Sequence, residues 1–365
     1  MKRFLKLPAP DKKILAYNKT YWLFLFLLLF YCTSASAQKK FKPAPDAPGK
    51  WNYTYLNEAR GGYRSDANYV LSATELATFK KKINQVVETL KKNPVTTNPF
   101  GYEPTVTAGI FANMYRYKYN PANIAGRIPQ SEIVIRFCIL HQEIATGKLT
   151  KDCIEVQHCD VWLNCMDRTM SSSGYHSYET LGAPKPIDEA FGKMNEVFQA
   201  PEPFQTLAEG VVLYTNGVIV VARKDRPYWI PVTAGEYFDL QIRYWTLKSV
   251  EDGNSYFLDM LKQEKESFSE ANLKLPAYNG ENPASLITVS PNNRPYMRFN
   301  PNYFDKKIPR TALQLLTIKI NDDLLINNFN PKQYLAGEHY MDILRYFEFS
   351  KAIDAVEMKA LLDVK

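Results

Sequence analysis

Cys138, His141, His158 and Cys159 are all of types that bind soft metals, and they fall within one short stretch of the chain. Their spacing works against a shared ion. Ile133, Val134, Ile135, Phe137, Ile139 and Leu140 read as one strand and Cys153–Leu163 as the next. In an extended strand Cys138 and His141 point to opposite faces, and so do His158 and Cys159. No metal site and no cofactor is therefore expected.

The same cysteines suggest covalent chemistry instead. Without Cys32, which lies in an N-terminal leader, four remain: Cys138, Cys153, Cys159 and Cys165. An even number in an exported chain points to disulfides. If Ile133, Ile135 and Phe137 share the buried face with Ile154 and Val156, an antiparallel hairpin centred on Lys148-Leu149 sets Cys138 opposite Cys159. Directly opposed Cβ atoms lie about 4.5–5.5 Å apart, near disulfide range, so Cys138–Cys159 is the expected pair.

Acid–base and nucleophilic chemistry have weaker markers. His176 follows Ser171-Ser172-Ser173-Gly174-Tyr175, but nucleophilic catalysis also needs a third group that orients the base. Asp160 and Asp167 flank Trp162-Leu163-Asn164-Cys165, and paired carboxylates can hydrolyse glycosides. Such pairs are also common on solvated surfaces. The zincin, hydrolase-elbow, phosphate-loop, dinucleotide and EF-hand spacings are all missing, so no catalytic residue is assigned.

Aromatic side chains offer recognition without catalysis, because rigid rings give contact area at low entropic cost. Tyr228 and Trp229, set between two turns and stopped by Pro231, are the ligand-stacking candidates. Tyr115, Tyr117 and Tyr119, on one strand face, are a second set.

The N-terminus indicates where such chemistry would occur. Lys2, Arg3, Lys6, Lys12, Lys13 and Lys19 precede the apolar run Tyr21–Cys32, and Ala35-Ser36-Ala37 follows. This is the pattern of a secretory signal cleaved after Ala37. The apolar core is shorter than the ~20 residues that span a bilayer, and no later segment reaches that length, so the mature chain has no expected span. Removing residues 1–37 lowers the net charge from +7 to +2. A chain so nearly neutral lacks the basic surface that nucleic acid requires.

The elements that must position these groups are legible in outline. Residues 38–50, rich in Lys and Pro, read as a tether. Ser72-Ala73-Thr74-Glu75 is a capping box opening an amphipathic helix through Leu76, Phe79, Ile83, Val86, Val87 and Leu90. Its other face carries Lys80, Lys81, Lys82, Lys91 and Lys92, expected to be solvated. Val211–Tyr214 and Val218–Ala222, joined through Thr215-Asn216-Gly217, form a hairpin apolar at successive positions, so both faces are covered. Tyr228-Trp229-Ile230 is read as the third leg of that meander. Thr233-Ala234-Gly235-Glu236 caps the next helix, Asp252-Gly253-Asn254 breaks it, and Tyr256–Phe268 resumes it. Gln333–Val364 reads as helical.

The expected fold is α+β: antiparallel β-meanders with helices packed on one face and a helical C-terminus. Segments 51–200 and 201–365 are separated by a soft boundary and are equally compatible with one domain. Two functions fit. One is an exported, non-catalytic binding or envelope-associated protein whose partner is a protein, glycan or lipid. The other is an exported hydrolase acting on a glycan or peptide.

Overall fold

The computed structural model describes residues 41–56, 71–111, 128–154, 156–170, 185–280, 287–289, 294–320 and 340–363. The fold is α+β, with mainly antiparallel strands and helices. The main sheet contains β2 (Asn52–Leu56), β3 (Tyr102–Phe111), β4 (Gln130–Glu143), β6 (His158–Leu163), β15 (Leu315–Lys319), β10 (Val218–Ala222), β9 (Val211–Tyr214) and β8 (Pro203–Ala208), in that spatial order. Two short strands, β1 (Phe41–Pro43) and β5 (Leu149–Asp152), also pair with β4. The β2–β3 pair alone is parallel among these. Because β6 pairs with β15, strands from either side of residue 200 share this one sheet.

The strand sequences explain why both faces are covered. β10 is buried at all its positions. Ile219 and Val221 join Ile133, Ile135, Phe137, Val161, Leu163, Leu316 and Ile318 in one core. Val218, Val220 and Ala222 point the other way, into a second core with Trp229, Phe299, Tyr303 and Met166. The first core is closed by helices α1 (Ala73–Lys91), α7 (Tyr340–Lys351) and α8 (Ala355–Ala360). The short α2 (Pro94–Thr97) follows α1. On α1, Phe79, Ile83, Val86, Val87 and Leu90 recur at helical spacing and are all buried. Each such side chain contributes roughly 1.5–3 kcal/mol. Ile83→Ala would cost about 2–5 kcal/mol through lost transfer energy and the cavity left behind.

Both capping boxes form. Glu75 N–H donates to Ser72 Oγ while the Glu75 carboxylate accepts from Ser72 N–H at 2.8 Å. Thr233 and Glu236 repeat the arrangement at α4 (Ala234–Asp252). The lysine face of α1 is partly engaged: Lys82 pairs with Asp363, Lys92 with Glu357 at 3.1 Å, and Lys80 lies over the Tyr55 ring. Lys92 thereby docks α8 to α1, Lys82 holds the residues just after α8, and both lysines line an open hollow of about 480 Å³.

Three features depart from the sequence reading. Trp229–Pro231 forms β11, which leaves the meander and pairs with β14 (Tyr296–Phe299) in a small sheet with β7 (Phe198–Gln199). The neighbour of β10 is instead β15, far along the chain. The 211–222 hairpin closes through a three-residue loop in which Gly217 alone has positive φ, so Asn216 is not in the doubly left-handed turn that Asn-Gly suggests. The segment expected as a tether is, over residues 41–50, stitched to the sheet by β1 and by Gly49 N–H donating to Pro99 O at 2.8 Å.

Candidate functional site

Past the sheets lie three helices: α3 (Pro186–Met194), α4, and α5 (Tyr256–Ser267). Thr233 fixes the start of α4, and Gly253 at φ 65° ends it in a left-handed cap that favours glycine. Asn254 Oδ1 then accepts from Tyr256 N–H at 2.9 Å, and Ser255 Oγ bonds Asp259 at 2.6 Å, restarting the chain as α5. α4 is thereby folded back against α5 and also packs beside α3.

Successive residues on a helix diverge by about 100°. Tyr244 therefore reaches Phe191 on α3, with centroids 5.2 Å apart, while Trp245 stacks on Phe257 of α5 at 4.8 Å. Tyr244 and Trp245 touch edge to face at 5.2 Å, and Tyr256 meets Phe257 at 5.4 Å. The result is an unbroken chain of five rings, Phe191–Tyr244–Trp245–Phe257–Tyr256, none of them buried. At the hairpin tip Tyr256 is 66% exposed, Phe257 48% and Val250 82%. Large apolar side chains exposed together in this way mark an interaction surface more often than a packing accident.

The rim is polar and internally balanced. Lys248 is held by Asp252 at 2.9 Å and Glu251 at 3.0 Å, and these hydrogen bonds raise its pKa. Lys265 pairs with Asp239 at 2.6 Å. Carboxylates of Glu251, Asp252 and Asp259 and the amide of Asn254 thus lie next in the chain to the exposed rings of Tyr256 and Phe257. Such a surface can stack and hydrogen-bond a neutral ligand.

The sequence-derived candidates fall elsewhere. Cys138 is bonded to Cys153, not to Cys159. The reason is a break: β5 ends at Asp152 and β6 begins at His158, so no single strand runs from Cys153 to Leu163. After the break Cys159 stands opposite Ile135 and turns into the main core, while Ile154, assumed buried, is 74% exposed. Burial pushes the Cys159 thiol pKa well up, and Cys165 is also buried. With Cys138 in a disulfide the four-residue metal set is dissolved; among the described residues no group of three or more metal-binding side chains forms.

Tyr228 and Trp229 are likewise taken up by packing. Trp229 is 7% exposed, donates its indole N–H to Thr169 Oγ1 at 2.9 Å, and packs edge to face on Phe198 and Tyr228. The Tyr228 hydroxyl bonds that of Tyr214, and desolvation raises its pKa strongly. The pair anchors β11 on the second core, which corrects the ligand-stacking expectation. Asp160 lies beside His158 at 3.5 Å. His176, the tyrosines 115, 117 and 119, and the Ala37 cleavage point lie outside the described residues.

The chain of five rings, half-buried at Phe191, Tyr244 and Trp245 and exposed at Phe257 and Tyr256, escaped the sequence reading, although a signal was present. Between Tyr237 and Val250, α4 carries Leu240, Ile242, Tyr244, Trp245 and Leu247 on more than one face, too apolar for an ordinary surface helix. No family model, curated protein or solved structure matches the chain.

Proposed function

We propose that this is an exported, non-catalytic binding protein that holds a neutral glycan on the aromatic tip of the α4–α5 hairpin. The observation that carries the reading is the contiguous ring chain, half-buried at Phe191, Tyr244 and Trp245, that ends in the exposed rings of Phe257 and Tyr256. Sugar rings offer C–H faces to aromatic side chains and hydroxyls to carboxylate and amide rims, and both are side by side here. A membrane-surface helix would instead surround its apolar face with Lys and Arg. The tip has Glu251, Asp252 and Asp259 around it, with Lys248 already paired. A disulfide fits an oxidising compartment, and no helix among the described residues is long and apolar enough to cross a membrane.

The test is direct binding of neutral oligosaccharides, followed by calorimetry and by tryptophan fluorescence from Trp245. Tyr256→Ala and Phe257→Ala should each weaken binding about three- to tenfold, the order of one lost ring contact. Unchanged affinity in the double variant would remove the hairpin tip as the site. Reducing sugar released from the same oligosaccharides would replace binding by hydrolysis.

A further inference from the structure

We infer that the Cys138–Cys153 bond is a reducible lock that holds β5, and through it the β1 entry of the N-terminal segment, in place on the tail of β4. β5 and β6 lie end to end along the same edge of β4, but out of step. Ile139 pairs with Asp152 of β5, whereas the β6 register continued without a break would bring position 155 there. The offset is three residues. An odd offset turns side chains to the opposite face, so the two registers cannot merge smoothly.

Apolar burial does little to hold β5 in its own register, and the disulfide is the one covalent tie. Its exposed and half-buried residues alternate, Leu149 is 43% exposed, and the flanking Ile144 and Ile154 are 58% and 74% exposed. The other ties are polar: the four-residue ladder, Lys151 on Glu103 at 2.6 Å, Glu143 N–H donating to Lys148 O at 2.9 Å, and the turn bonds of Gly147 N–H to Glu143 O at 2.8 Å, Thr146 Oγ1 to Glu143 at 2.7 Å and Gln142 Nε2 to Gly147 O at 3.0 Å. A short edge strand with so little buried apolar surface adds little stability by itself. Cys138 and Cys153 fall opposite one another in the β5 register, with Cα atoms 4.5 Å apart, so their bond fits this register and no other.

The other edge of the same β4 tail carries β1: Pro43, Lys42 and Phe41 pair with His141, Gln142 and Glu143. All three β1 residues are exposed, and the chain is anchored only after them, by Ala44 N–H to Leu140 O at 2.9 Å and Gly49 N–H to Pro99 O at 2.8 Å, so the pairing of β1 itself draws on a well-ordered tail. Losing β5 leaves residues 141–143 with β1 as a lone partner. The lock thereby connects thiol chemistry to the point where residues 41–43 join the sheet.

Cys138 is buried and Cys153 half-buried, so an incoming dithiol attacks the Cys153 sulfur. The S–S bond breaks and Cys138 leaves as a thiolate that takes up a proton. The second thiol of the reagent then displaces Cys153, giving two protein thiols and one oxidised cyclic reagent. Cys159 faces the core on the opposite side of the sheet and takes no part.

Hydrogen exchange on the full chain, oxidised and then treated with dithiothreitol, tests the lock. Amide protection should fall at least tenfold over residues 149–152 and at Lys42 and Ala44, stay unchanged over 158–163 and 218–222, and return on reoxidation. Cys138→Ser with Cys153→Ser should reproduce the reduced pattern without reagent. Unchanged exchange at Lys42 and Ala44, or loss of protection across the whole sheet, would overturn the proposal: the bond would then be only a local or a global cross-link. Reversible reduction of the unaltered chain keeps the test valid if the double variant does not fold.

Discussion

Asn164 Oδ1 accepts the backbone N–H of Gln314 at 2.9 Å, joining residues 150 positions apart inside a fully buried site. The same oxygen accepts from Leu315 N–H at 3.2 Å, and Nδ2 donates to Ala312 O at 3.0 Å and Pro129 O at 3.3 Å. One amide thus ties the entry of β4 and the end of β6 to the start of β15. Asn164 is also the one non-glycine described residue at positive φ, 57°, a conformation Asn tolerates. Asn164→Leu should cost about 3–5 kcal/mol, since it strands buried donors and acceptors and forces a larger side chain into a left-handed position. Asn164→Asp keeps both accepted bonds but faces two carbonyls without a donor, so it should also destabilise strongly. Urea unfolding midpoints of the two variants check this.

Two left-handed glycines should respond differently to alanine. Gly253, at φ 65°, has open space where a Cβ would go, so Gly253→Ala should cost about 1 kcal/mol of backbone strain alone. Gly210, at φ 76°, would place its Cβ 2.6 Å from Ala222 O and against the Lys359 ammonium. Lys359 donates to that same carbonyl, and burial lowers its pKa. Gly210→Ala should therefore cost about 2–4 kcal/mol, strain plus overpacking. Thermal melts of both variants at one pH separate the two contributions.

Glu75 links the start of α1 to Arg310. The guanidinium forms a two-pronged pair with its carboxylate, one arm at 2.6 Å, and together with the Ser72 bonds holds the Glu75 pKa down at about 2, against an ordinary 4.5. A depressed carboxylate stabilises the fold above its unfolded pKa and loses that contribution as pH falls through the folded value. Stability from this pair should accordingly be complete above pH 4.5 and fade toward pH 2. Glu75→Gln keeps an acceptor for the cap but drops the charge. Its denaturation midpoint should lie below that of the parent chain at pH 7 and meet it near pH 2.

What was legible in the sequence was local. The Ser72 and Thr233 boxes and the Gly253 break act over three or four residues, so their chemistry fixes their geometry. The Val211–Ala222 hairpin was legible for the same reason, although the turn type was decided by the strands around it. The Cys138 partner was not, because a break between Asp152 and His158 changed which residues face the core, and no periodicity marks a break of that kind. Nor was β15 as the neighbour of β10, a pairing set by the packing of both sheet faces. Tyr228 and Trp229 were recognised as important aromatics, but only tertiary packing showed them filling a core while Tyr256 and Phe257 stayed in solvent.

His158 gives the opposite pH dependence to Glu75. Its Nε2 lies 3.5 Å from Asp160 Oδ2, and that hydrogen bond is the largest influence raising its pKa above 6.5, with partial burial opposing it. The neighbouring strands place Arg136 opposite His158 and Lys319 opposite Asp160. Arg136 pulls the His158 pKa down, while the Lys319 ammonium donates to Asn216 O. A raised histidine stabilises the fold fully below its unfolded pKa, and the contribution is lost as pH rises through the folded value. The window therefore opens near pH 6.5 and extends upward. In a proton NMR titration the His158 midpoint should lie above 6.5. Asp160→Asn removes the carboxylate but leaves Arg136 and the raising hydrogen bond with the Val156 backbone, and should move the midpoint down. The same variant should flatten the small loss of stability as pH rises above 6.5, small because the His158 side chain is half in solvent. A His158 midpoint that stays put in Asp160→Asn would mean that another group sets it.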